Sequence, residues 1–349
     1  MHARRLTLGT ISAAAALASI AAGGSATAAS GSSADRTAAV GHSVSSAEQR
    51  ATARLDVEAI VKSAKPMQLP AGRGGAARPS SLERGVETKV GPVAVKAGAT
   101  ERAVNGVPDS YAGSLWPLGK NLNPNRQTGK YYFNTGSGWS WCTATVVTAA
   151  NRSTLVTAGH CVVNPSTKQW YTNAFFRPGY QYGNTLGTWY ARNMWTTGNY
   201  YYYGSYADDM AAVVVRTNGA GTPIQAITGS QGIWFNGPQG GLMRTTLGYP
   251  VTDSRWPGYT ANGEDARYCQ WTNTYYATGT WAGQEYIPCY MTGGSSGGGH
   301  LSWVNTNWMG YVNSVNSNKG GIGSSWAHVM FSPYFGTNEA NVYNAAKAA

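Results

Sequence analysis

From residue 111 onward, short runs alternate small or apolar residues with threonine and other polar positions. WCTATVVTA (141–149), STLVTAGHCVV (153–163), NTLGTWYARNMW (184–195), DMAAVVVRT (209–217), RTTLGYPV (244–251) and YVNSVNS (311–317) all read as strands. Turn clusters rich in Asn, Gly and Pro separate them, among them NPNRQTG, TNGAGTP and FNGPQGG. Strands recurring without intervening helical periods predict an all-β sandwich or barrel. Residues 111–349 are too many for one small barrel, so two packed barrels are expected. Helical spacing is found in two places only. AEQRATARLDVEAIVKSA (47–64) carries an apolar stripe of Leu55, Val57, Ile60 and Val61, and NEANVYNAAKAA (338–349) closes the chain with Asn338 as its expected N-cap.

The aromatic residues divide the chain. All 13 Trp, 22 Tyr and 6 Phe, and all four Cys, lie at or after Tyr111. Residues 30–110 have none of them and can bury little apolar area, so they are not expected to form a packed domain of their own. They read as a pro-segment, with a disordered linker as the alternative. Ahead of them, residues 1–29 have the layout of a signal peptide: Arg4 and Arg5, an apolar run over 11–22, and the small-x-small triplet Ala26-Thr27-Ala28. That run is too short to span a bilayer, which takes about 20 residues. A secreted product, not bound to membrane, is expected.

Charge narrows the partners. Residues 111–349 hold 13 Lys and Arg against 7 Asp and Glu, scattered singly. No basic stripe follows a phosphate backbone, so nucleic acid is not expected as a partner. In an exported chain four cysteines imply two disulfides; the economical pairing is Cys142–Cys161 with Cys269–Cys289, each closing a loop of about 20 residues. No metal-ligand spacing is present, and neither a metal nor a cofactor is expected.

Candidate chemistry is sparse. Three histidines lie in the aromatic-rich part: His160, His300 and His328. His160 stands beside Cys161 and the turn-permitting Gly159. Asp208 and Asp209 open an apolar strand, where alternation lets one of them face inward and a histidine N–H could satisfy it. The alternative is a pair capping a strand end in solvent. MTGGSSGGGHL (291–301) has the composition of a flexible connector. It nevertheless follows Cys289 closely and precedes a strand, and its glycines permit turns that aim successive N–H groups at one point. That is the shape an acyl-transfer serine needs.

Taken in order, TAGHC with Cys142 upstream, DMAAVV and TGGSSGG resemble the trypsin-like, chymotrypsin-fold serine peptidases, in the secreted bacterial branch related to glutamyl endopeptidases. The similarity runs over about residues 130–345. It implies two six-stranded antiparallel Greek-key barrels meeting at a cleft. It also implies His160 as general base, Asp209 as the acid orienting it, Ser296 as nucleophile, and the N–H groups of Gly294 and Ser296 as the oxyanion hole. Protein or peptide substrates and a monomeric enzyme follow from the same resemblance. Where trypsin-type members have an aspartate before the nucleophile, this chain has Ser295, so the pro-segment is expected to assist folding or to cover the cleft. The specificity histidine of glutamyl-specific relatives is replaced in Gly310-Tyr311-Val312; with Met291 and Val312 near the pocket, a preference for apolar or small residues is expected.

Two rival readings remain. G-x-S-x-G also marks the nucleophile elbow of α/β-hydrolases, but there the acid and then the histidine follow the serine, and no aspartate follows Ser296 here. A catalytically inactive homologue acting as an extracellular binding module through its Tyr and Trp residues is the other.

Overall fold

The computed structural model describes residues 36–71, 85–95 and 108–349. The signal peptide expected over residues 1–29 lies outside them. Among the described residues, no helix is long and apolar enough to cross a membrane.

The first sheet contains β1 (Ala39–Ser43), β2 (Lys65–Pro66), β5 (Thr128–Asn134), β6 (Trp139–Val146), β7 (Thr154–Thr157), β10 (Thr172–Pro178), β11 (Trp189–Thr197) and β12 (Ala211–Val215). Six of these close on themselves in the order β11-β10-β5-β6-β7-β12, with β12 returning to β11, every pairing antiparallel. Closure leaves no free edge. It also buries both ends of the Ala/Val run: every residue of β12 is buried. A two-stranded ribbon of β8 (Val163–Asn164) and β9 (Gln169–Trp170) follows the turn after β7.

The second half pairs β3 (Thr88–Val90), β13 (Gly232–Phe235), β19 (Tyr311–Val315), β18 (Gly299–Ser302), β14 (Arg244–Gly248), β15 (Arg267–Trp271) and β4 (Ser110–Leu115) in that order. β13 runs parallel to β19; the other pairings are antiparallel. A separate sheet orders β16 (Tyr275–Tyr276), β17 (Gln284–Pro288), β21 (Val329–Pro333) and β20 (Asn318–Lys319). The Cys269–Cys289 disulfide and a buried ion pair, Arg244 Nη2 to Glu285 Oε2 at 2.5 Å, tie this sheet to the larger one. Glu285 also accepts from the N–H of Gly240 at 2.8 Å. The other disulfide is Cys142–Cys161, as the spacing suggested.

One large core joins the halves, running from Val146, Leu155 and Val213 through Ile233, Leu301 and Val312 to Val342 and Tyr343 of the closing helix. That helix spans Thr337–Lys347, starting after Gly336, whose N–H donates to Glu339 Oε2 at 2.9 Å. Asn338, expected to cap it, lies inside its first turn and donates instead to Asp208 Oδ1 at 2.8 Å. The helical stretch at 47–64 forms two helices, α1 (Ser46–Thr52) and α2 (Val57–Ser63). The break falls where Asp56 accepts from the N–H of Ala59 and so starts a new helix. With α3 (Gly198–Tyr203) and α4 (Ile224–Thr228), the closing helix is α5.

The described parts of residues 36–95 lie along both halves. β1 pairs with β11, β2 with β6 and β3 with β13. Ile60 of α2 packs with Tyr132, Trp141 and Phe175, and Leu69 is buried beside the Cys269–Cys289 disulfide. A segment without aromatics thus gains its burial from aromatic surface it does not itself possess.

Removing Arg244 would leave Glu285 charged and buried without its counter-ion, which costs about 3–5 kcal/mol. Arg244→Met is expected to lower stability by that amount, read as a shift of the urea midpoint in a Ser296→Ala background.

Candidate active site

His160 is held in a 3₁₀ turn, Gly159–Cys161, that follows β7, and Cys161 fastens this turn to β6. The turn lies so close to its neighbours that a Cβ on Gly159 would stand 2.6 Å from the Tyr200 ring, 2.8 Å from Thr196 Oγ1 and 3.0 Å from Asp209 Oδ1. Asp209 is fully buried, in the residues between a 3₁₀ turn over Tyr206–Asp208 and β12. Its Oδ1 accepts from the His160 backbone N–H at 2.8 Å. Its Oδ2 meets His160 Nδ1 at 2.7 Å and accepts from Ser317 Oγ at 2.6 Å. A carboxylate at that nitrogen fixes the proton on Nδ1 and leaves the Nε2 lone pair to act as base. Nε2 is buried and has no hydrogen-bond partner; the same holds for Ser296 Oγ, so the two are not bonded to each other.

The loop bearing Ser296 is fixed mostly through its backbone. Ser296 O accepts from Thr143 N at 2.7 Å, and Gly294 O from Thr143 Oγ1 at 2.9 Å, both from β6. Gly297, at φ 80°, packs against Thr157 Oγ1 and Thr143 O so closely that no side chain fits. Thr157 and Ala158 lead directly into the turn that carries His160, so the serine loop packs on the chain just before that histidine. The two serines differ clearly. Ser295 Oγ donates to Thr292 O at 2.7 Å inside its own turn, whereas Ser296 Oγ is unengaged. Gly294, at φ 92°, donates its N–H to Met67 O at 2.8 Å.

Four groups that sequence reasoning did not assign surround this arrangement. Ser317 is the third donor to Asp209; its only trace in the sequence is a polar residue closing the strand-like YVNSVNS. Asn316 braces the serine loop, donating from Nδ2 to Ser295 O at 3.0 Å, while its Oδ1 meets His300 Nε2 at 2.8 Å. His300 is fully buried, and burial, with Arg244 nearby, pushes its pKa down to about 3. Lys319 is buried too, its Nζ donating to Cys289 O at 2.7 Å, with its pKa lowered to about 7 by burial.

Two expectations change. Asp208 is not a solvent cap: it is as enclosed as Asp209, accepting from Asn199, Ser205 and Asn338, and burial raises its pKa. Strand alternation does not govern the pair, because both precede β12 and Asp208 ends a 3₁₀ turn. Val312 does not line a pocket with Met291. Its place in β19, opposite Leu301 and Ile233, buries it in the large core, whereas Met291 packs with Leu69, Met330 and the Cys269–Cys289 disulfide.

A closed antiparallel barrel joined to a second β half, with a histidine, a buried aspartate and a glycine-bound serine at their seam, defines the chymotrypsin-fold class of serine protease. A thermostable serine protease, AL20, from an extremophilic microorganism is similar at 33% identity and a TM-score of 0.57, covering 64% of this chain and 98% of its own. Protease Anisep from Arthrobacter nicotinovorans is similar at 33% identity and 0.57, over 65% and 97%. A Glu endopeptidase shares the fold at 19% identity and 0.51, over 68% and 96%. No protein-family model matches the chain. No curated protein matches it either. The chain belongs to the bacterial serine proteases of chymotrypsin fold.

His300 generates a pH prediction. Unfolded, it takes up a proton near 6.5; folded, not until about 3. Between these values the unfolded chain binds more protons, so stability falls as pH drops from 6.5 towards 3. His300→Gln removes this titration, and the slope of Tm against pH in that window should flatten relative to wild type.

Proposed function

We propose that this protein is a secreted serine endopeptidase that works through an acyl-enzyme, with Ser296 as nucleophile, His160 as general base and acid, and Asp209 as the group orienting His160. The observation that carries the reading is the Asp209–His160 Nδ1 contact at 2.7 Å inside a fully buried carboxylate site, which leaves Nε2 unengaged beside the serine loop.

In this reading His160 Nε2 takes the Ser296 proton as Oγ adds to the substrate carbonyl. Negative charge moves onto that carbonyl oxygen and is met by the N–H groups of Gly294 and Ser296. The imidazolium, steadied by Asp209, then passes its proton to the departing amine, and water hydrolyses the acyl-enzyme by the same steps. Ser317 completes the carboxylate's hydrogen bonds from the second half. Two disulfides support an exported enzyme, residues 111–349 its catalytic part, and residues 30–110 its pro-segment. Protein or peptide chains are the substrates.

Labelling with a fluorophosphonate, followed by mapping of the adduct, tests the nucleophile. An adduct on Ser296 is expected; one on Ser295, or none in the processed protein, refutes the assignment. Ser296→Ala should remove nearly all turnover while Ser295→Ala retains most. Asp209→Asn should lower kcat by about 10⁴-fold, the scale of a triad whose histidine is held in the wrong tautomer. Asp208→Asn should lower stability with much less effect on kcat.

The pocket side chains support a preference before the scissile bond. Met291 and Met330 enclose Leu69 in a fully buried apolar site, so apolar side chains should be favoured there. A peptide panel varying only that residue checks this, and a strong preference for Glu would refute it.

A further inference from the structure

Residues 65–71 cross the candidate active site from one half to the other. Lys65 and Pro66 pair with Ser140 and Trp141 of β6, and Met67 donates its N–H to Trp141 O at 2.8 Å. Met67 O then accepts from Gly294 N at 2.8 Å, where the proposed mechanism puts the developing oxyanion. Gln68 Oε1 accepts from Arg255, whose guanidinium Asp253 holds through three further bonds. Leu69 is fully buried against Met291 and Met330. Pro70 O accepts from Lys319 N at 3.1 Å, and Ala71 forms a parallel bridge to Lys319.

The direction of this crossing decides its effect. In the proposed mechanism the departing amine must receive its proton from His160. The turn holding His160 is joined to β6 by Cys142–Cys161, so the leaving, C-terminal side of a substrate has to run along β6. The acyl, N-terminal side then lies along Lys319, and a substrate passes from Lys319 towards β6. Residues 65–71 pass from β6 towards Lys319. Both of their pairings are parallel, as expected for one strand laid backwards through the groove.

From this we infer that residues 65–71 are an intramolecular inhibitor bound in the reverse chain direction, which fills the oxyanion site and the apolar pocket yet is not a substrate. The inference rests on the catalytic reading above. If Ser296 added to the Met67 carbonyl, the amine to be expelled would be Gln68 N, on the Lys319 side and away from His160. It would leave without a proton donor, so the adduct would collapse back to the intact peptide. The pocket is likewise filled by Leu69, two residues beyond the carbonyl at Gly294, whereas in a substrate the pocket residue carries the reacting carbonyl. Helix α2, anchored by Ile60 and by Glu58 to Arg177 at 2.9 Å, delivers the segment to the groove.

The test compares fluorophosphonate labelling of the uncut full-length chain with that of the processed enzyme, the two being resolved by mass. The uncut wild type is expected to label at least about tenfold more slowly, and uncut Leu69→Asp to approach the processed rate. Equal rates for uncut and processed wild type would overturn the inference. Absence of labelling in both would overturn the catalytic assignment on which it rests.

A second measurement does not depend on the variant's folding. The peptide AKPMQLPA (residues 64–71), added to processed enzyme, should inhibit competitively and be recovered whole. Cleavage between Met and Gln, or no inhibition, would refute the reversed direction.

Discussion

The Asp209 carboxylate is the constraint around which the two halves are assembled. An ionised group with no access to water is costly unless its oxygens are met by donors. Asp209 finds three: the backbone and ring of His160 from the first barrel, and the hydroxyl of Ser317 from the second half. Separating the halves would strip one donor from a buried charge. The same contact that orients the imidazole therefore helps to register the barrels, and Gly159 permits it by offering no side chain where Tyr200, Thr196 and the carboxylate converge.

The second half is built to hold the serine loop still. Asn316 binds that loop through backbone and side chain, and its side-chain oxygen is itself met by His300 and Thr246. Beneath them, Arg244 and Glu285 join two sheets that hydrogen-bonded pairing alone does not connect. Rigidity of this kind suits the proposed nucleophile, whose hydroxyl must be available rather than spent on a neighbour.

Much of this was legible in the sequence, for identifiable reasons. TAGHC, the aspartate before an apolar run and the glycine-flanked serines stand out because each combines a reactive group with a backbone requirement. The strands announced themselves by alternation, and the disulfides by spacing. What escaped was relational. Ser317 and Asn316 look like ordinary strand-end residues until Asp209 and the serine loop are placed beside them. Val312 was placed near the pocket by its match to the relatives' specificity histidine, yet its register in β19 buries it in the core. Asn338 looked like a cap because nothing in the sequence shows Asp208 waiting across the fold, and Asp208 looked exposed for the same reason. The poor aromatic content of residues 30–110 argued against an independent core, but could not show that Ile60 and Leu69 fit surfaces belonging to the two halves.

The way Gly297 sits on the first barrel constrains how such an enzyme could diversify. Its contact with Thr143 and Thr157 is made without any side chain of its own, so there is nothing at that joint to enlarge or trim by substitution. In the proposed reading, variation in what the enzyme accepts is left to the far side of the loop, around Met291 and Met330, where side chains rather than main chain set the shape. On that proposal, chemistry and selectivity would rest on separable parts of the fold, the first frozen by geometry and the second open to drift.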